Sequence, residues 1–97
     1  MATYLCLYNF TDQGVRNIAG TTKRAEAFKA LAKSKGATVR ELFWTLGPYD
    51  LVSICDVPDE ATATAMGLAL AKDGNVRTLT LRAFSQSEMD NILTRLG

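Results

Sequence analysis

Two strand-like runs meet at Gly47-Pro48, and that junction limits what this chain can fold into more than any other feature. Residues 38–46 carry Val39, Leu42, Phe43 and Trp44, with apolar side chains on both faces; residues 49–57 continue with Leu51, Val52, Ile54 and Val57. Proline fixes φ and has no backbone donor, and glycine reaches turn conformations that other residues resist, so one strand cannot run through this point. A break this short between two extended runs makes a hairpin. Moving outward from it on either side, one helical segment and then one further strand-like run follow.

On the N-terminal side, residues 3–10 (Thr-Tyr-Leu-Cys-Leu-Tyr-Asn-Phe) are rich in aromatics and leucine and read as a strand. Residues 11–21 are expected to form a long loop holding at most a short helical turn. From Thr22, Ala25, Phe28, Leu31 and Ala32 recur at helical spacing, and Lys33, Lys35 and Gly36 suit the end of a helix. On the C-terminal side, Pro58 opens a second helix with Asp59 and Glu60 in its first turn. Thr62, Met66, Ala69 and Leu70 form its stripe, and Asp73-Gly74-Asn75 ends it. Residues 76–84 alternate, with Leu79, Leu81 and Ala83 against Thr78, Thr80 and Arg82. Ser85-Gln86-Ser87-Glu88 is a capping box for a last helix carrying Met89, Ile92, Leu93 and Leu96 on one side.

This order predicts a single α+β domain over residues 1–97: a ferredoxin-like βαββαβ unit with a C-terminal helix. Its four-stranded antiparallel sheet has the order 4-1-3-2, with both helices on one face. The first strand is apolar on both faces, with Tyr4, Cys6, Tyr8 and Phe10 on one and Leu5 and Leu7 on the other. A sheet with one wet face alternates apolar and polar residues, so something is expected to cover the second face. A second copy about a two-fold axis is the simplest cover, giving a homodimer or higher homo-oligomer. With Leu5, Leu7, Leu79 and Leu81 assigned to the helices, the open side is expected to carry Tyr4, Cys6, Tyr8, Phe10, Thr78, Thr80 and Arg82.

Composition removes several function classes. Eleven Lys and Arg stand against ten Asp and Glu, so there is no basic footprint for a phosphate backbone. The third strand also lacks the aromatic pair of RNA-recognition domains: Leu51, Ser53 and Cys55 share one face, Val52 and Ile54 the other. Nucleic acid is therefore not an expected partner. No apolar run is long enough to span a bilayer, so no membrane partner is expected. The start Met-Ala-Thr-Tyr-Leu lacks a basic segment, and a reducing cytoplasm is the expected setting. There is no histidine, hence no usual general base or imidazole ligand, and two cysteines cannot close a zinc site. Neither metal nor cofactor is expected. Cys6 and Cys55 fall towards the same end of neighbouring strands; inert buried thiols are the simpler outcome and a cross-strand disulfide the geometrically demanding one.

Gly47, Tyr49 and Asp50, with Pro48 as spacer, lie inside Trp44-Thr45-Leu46-Gly47-Pro48-Tyr49-Asp50-Leu51-Val52. With the blocks Asn9 to Gly14 and Asn75 to Phe84, this motif resembles the GYD-domain family, small bacterial and archaeal proteins named for a Gly-Tyr-Asp motif. The resemblance spans nearly the whole chain. It implies a ferredoxin-like fold associating as in dimeric α/β-barrel proteins, and it implies no reaction.

Candidate residues follow from chemistry. Tyr49 and Asp50 are weak catalytic candidates, a donor and a base at a cavity end; structural roles in the hairpin are the alternative. Tyr8, Trp44 and Arg82 are candidate ligand-binding residues on the covered sheet face, mixing apolar area with a polar group. The same residues suit a plain interface. A small-molecule binding or sensing protein is the function expected, with a small cofactor-independent enzyme (monooxygenase- or isomerase-like) and a purely structural oligomer as alternatives.

Overall fold

The computed structural model covers residues 1–97. The strands are β1 (Ala2–Phe10), β2 (Thr38–Trp44), β3 (Leu51–Val57) and β4 (Val76–Ala83). The helices are α1 (Asp12–Arg16), α2 (Thr21–Ser34), α3 (Glu60–Asp73) and α4 (Gln86–Leu93). The sheet runs β2-β3-β1-β4, antiparallel throughout, which is the 4-1-3-2 order expected of a ferredoxin-like α+β chain.

Local chemistry sets the boundaries. Asp59 caps α3 from outside, its carboxylate accepting from Thr62 N at 2.7 Å. Gly74 closes the same helix at φ +81°, a left-handed cap that favours glycine. The Ser85/Glu88 capping box starts α4 with both reciprocal bonds present. The residues between β1 and α2 are not the long loop expected. They form α1 and one 3-10 turn (Ile18–Gly20) that runs straight into α2. Thr11 Oγ1 accepts from Gly14 N at 3.1 Å and donates to Gly74 O at 2.6 Å. A Cβ on Gly14 would lie 2.0 Å from Asn75 O, so only glycine lets this turn press against the end of α3. Such a turn is held by contacts distant in sequence, and no apolar period marks it.

Helices α2 and α3 cover one sheet face, and there the expected orientation is reversed. Tyr4 and Tyr8 point at the helices and are buried with Phe28, Ala32, Cys55, Val57 and Met66. Thr78 and Thr80 lie on this inner face, opposite Tyr8 and Cys6. Leu5, Leu7, Leu79 and Leu81 point away. The reason is volume. The helices present small residues to the sheet, Ala25 and Ala32 from α2 and Ala63 from α3. Large aromatic rings fill the depth that those alanines leave. Strand β2 keeps apolar residues on both faces through a bulge at Arg40, between Val39 opposite Cys55 and Glu41 opposite Ile54.

The terminal helix leaves this body. It makes little contact with the rest of the chain, and the molecule is elongated, 52 × 31 × 19 Å. Met89, Ile92, Leu93 and Leu96 are all exposed along it.

Candidate functional site

The Gly-Pro-Tyr-Asp hairpin is a fastening. Gly47 sits at φ +99°, the left-handed region that favours glycine. Thr45 closes the turn, its N donating to Asp50 O at 2.8 Å and its Oγ1 to Tyr49 O at 2.6 Å. Asp50 then ties the hairpin to β1: its N donates to Tyr8 O and its Oδ2 accepts from Phe10 N, each at 2.8 Å. Asn9 Nδ2 donates to Pro48 O at 2.7 Å. Asp50 therefore spends its carboxylate on a strand end, and Tyr49 is half-buried beside it.

The ligand candidates do not converge. Tyr8 and Trp44 share one row of the inner face, both flanking Leu51. Trp44 Nε1 donates to Thr21 Oγ1 at 3.1 Å, latching the end of β2 to the start of α2. Arg82 lies opposite Tyr4, four positions along β1 and about 13 Å from that row. Its guanidinium stacks 4.5 Å from the Phe84 ring centre, pairs with Glu88 Oε2 at 3.2 Å and donates to the Ala83 and Thr3 carbonyls. Those partners fix the exit towards α4. The Ser85 amide and Arg82 hold the Glu88 carboxyl below the usual carboxylate range.

A buried polar chain crosses the inner face. Tyr8 Oη and Ser53 Oγ share a 2.7 Å hydrogen bond, and Ser53 Oγ is 3.6 Å from Cys55 Sγ. Cys6 pairs with Ser53 and Cys55 with Tyr4, so the thiols are diagonal neighbours, and both are free. They behave as one acid. Hydrogen bonding from Cys55 draws the Cys6 thiol down to about 6 against the opposing effect of burial. The same bond, reinforced by burial, pushes Cys55 up. Burial and the neighbouring Cys6 raise the Tyr8 phenol as well.

A second apolar face was expected from the sequence, but it was given to Tyr4, Cys6, Tyr8 and Phe10, whereas the leucines form it. Register places Phe43, Val52, Leu7 and Leu79 in one row and Ile54, Leu5 and Leu81 in the next. Phe43, Leu79 and Leu81 are 54%, 46% and 42% exposed, too open for core residues. Around them lie Thr3, Arg40, Glu41, Asp56 and Arg77, with Arg40 and Asp56 paired at 2.9 Å. An apolar centre inside a polar rim is the anatomy of a protein contact surface. The available signal was the β-branched pair Val52 and Ile54 opposite Leu5 and Leu7, which makes a second apolar face whichever side the helices take.

Comparisons with known proteins agree with this geometry. The GYD domain family model matches residues 4–93. A Thermus thermophilus protein named "Glutamine synthetase and cystathionine beta-lyase binding protein" is 32% identical over 90 residues, covering 92% of this chain and 95% of that protein. The crystal structure of TTHA0845, also from Thermus thermophilus, superposes with a TM-score of 0.55 at 25% identity, covering 88% of this chain and 95% of the other.

Proposed function

This chain belongs to the GYD-domain family, and from that premise we propose that it is a protein-binding module that works as a homo-oligomer. The observation that carries this is the outer sheet face, where Phe43, Leu79 and Leu81 are exposed beside half-buried Leu5, Leu7, Val52 and Ile54. Burying apolar area at roughly 25 cal/mol per Å² drives association. A second copy fits for two reasons. The rim carries Arg40 and Arg77 against Glu41 and Asp56, so a two-fold axis can set opposite charges against each other. The apolar stripe of α4 extends beyond its own domain, where a partner copy would lie.

The relative's name supports enzymes as further partners, of the glutamine synthetase and cystathionine beta-lyase kind. The centre of the outer face has no polar group to orient a small molecule, so its part in this reading is protein contact. The enzyme reading has no comparable support, because neither Tyr49 nor Asp50 lines the main cavity.

Sedimentation velocity at micromolar concentration is the direct test. A dimer or larger species is expected, reverting to monomer in Leu79→Asp; a wild-type monomer would overturn self-association. Titration calorimetry with purified glutamine synthetase and cystathionine beta-lyase tests the second part, and no heat with either enzyme would remove it.

A further inference from the structure

Helices α2 and α3 share the core around Phe28, Ala32 and Met66, but they part towards the end of the sheet that carries Tyr8 and Leu51. Ala25 and Ala27 on α2 and Ala69 on α3 are too short to close the gap, and a cleft of about 150 Å³ opens between them. Its floor and walls are apolar, including Tyr8, Phe10, Phe28 and Leu51. A cavity of this size lined by such residues holds a benzene-sized group.

The polar groups gather at one end. The cleft is lined there by Thr21 and Arg24 from the start of α2, and by Asp73 and Asn75 from the end of α3. Arg24 Nη1 donates to Asn17 O at 2.8 Å, but Nη2 is buried without a hydrogen-bond partner. Arg24 forms no ion pair either; the pairs in the chain are Lys29–Glu26, Arg40–Asp56 and Arg82–Glu88. A cationic donor out of water and unpartnered is costly, and native structures seldom leave one so. The positive pole of the α2 N-terminus adds to its preference for an anion.

We propose that this cleft is a binding site for a small carboxylate with an apolar body, an aromatic or branched aliphatic acid. Arg24 lines the cleft, and a turn of its side chain brings Nη2, which the fold closes off, onto the carboxylate, while the apolar group lies over Phe10, Phe28 and Leu70. Arg is suited to this because its planar fork matches a carboxylate. The site is on the sheet face opposite the self-association surface and does not depend on it. Two carriers share this chemistry, a simple acid and an α-amino acid with an apolar side chain. Asp73, unpaired at the same rim, distinguishes them, because it repels the first and receives the ammonium of the second.

Titration calorimetry on the full chain tests the site, with phenylacetate and L-phenylalanine as probes and benzyl alcohol as the uncharged control. Saturable one-to-one binding of at least one acid is expected, tighter than benzyl alcohol, and weakened roughly tenfold or more in Arg24→Gln, about 1.4 kcal/mol. Whichever acid binds tighter names the carrier, and Asp73→Asn reduces the preference for L-phenylalanine if that is the one. Ala69→Leu fills the cleft and is expected to abolish binding without lowering the thermal midpoint. If Arg24→Gln does not fold, Arg24→Lys serves, since it keeps the charge and loses the fork. No binding of either acid, benzyl alcohol binding as tightly as the acids, or a folded Arg24 variant binding like wild type would overturn the proposal.

Discussion

On the inner face of the sheet, Tyr4 and Tyr8 meet alanines from the helices, and Tyr8, Ser53 and the two cysteines form a closed polar chain. On the outer face, Leu5, Leu7, Leu79 and Leu81 form flat apolar rows, the first two half-buried and the last two exposed. Both faces are apolar, yet the polar groups sit on the buried one. The Tyr8 and Ser53 hydroxyls are buried as each other's partner, whereas the Tyr4 hydroxyl is buried without one, and the tyrosine rings supply the reach that an alanine-faced layer needs. The leucine face has no polar handle, so it can be covered and uncovered without stranding a donor. One face is closed by its own chain and the other is left open, as the proposed association requires.

Substitutions on each face separate these two roles. The largest effect belongs to the inner face: Phe28→Ala, at a buried position edge-on to Tyr8, is expected to cost about 3–5 kcal/mol in denaturant unfolding. A loss below about 1 kcal/mol would mean the inner face is not the core. Next comes Leu79→Asp on the outer face. Its expected cost to the folding of a single chain is under about 1 kcal/mol, as for surface substitutions, while the dissociation constant of the oligomer rises by roughly a hundredfold or more. Equal losses at the two positions would erase the distinction between the faces.

The fastening between β1 and the hairpin comes third. Asp50→Ala removes the charged acceptor of Phe10 N and is expected to cost about 1.5–3 kcal/mol. Asp50→Asn keeps an acceptor and should cost less. If both variants melt like wild type, Asp50 is there for some other purpose.

The last test is the pH dependence of the thiol pair. Cys6 falls from 9.0 to about 6 in the folded chain, so its contribution to stability is complete above pH 9 and is lost as pH falls through 6. Cys55 is raised, so its contribution is present below 9.0 and is lost at higher pH. Stability should therefore climb from about pH 6 to 9 and decline above it, and no histidine titrates in that window. Cys6→Ser should flatten the climb; an unchanged slope in urea unfolding would show that Cys6 is not its source.

Much of the fold was legible in the chain. The hairpin at Gly47-Pro48, the Ser85/Glu88 capping box, the glycine stop at Gly74 and the helical spacing of Ala25, Phe28 and Ala32 are local, and local patterns survive folding. Of the segment between β1 and α2 only a short helical turn was legible; its packing was not, because Gly14 takes its place only through Asn75, about sixty residues away in the chain. The candidate site was read less well. Tyr8 and Trp44 do share a row, but Arg82 belongs to the exit towards α4. Arg24 was passed over because an arginine on a helix looks like a solvated charge until the fold buries one of its nitrogens.

Element order, sheet order and family follow from the residues alone, since turns, caps and periodicity act within a few residues of one another. Which side of the sheet the helices take does not, because β1 is apolar on both sides and alternation is silent when both phases are hydrophobic. That choice was made by volume across layers, with tyrosines against alanines. It decided that leucines, not tyrosines, face outward, and it placed an unpartnered arginine at the mouth of a cleft.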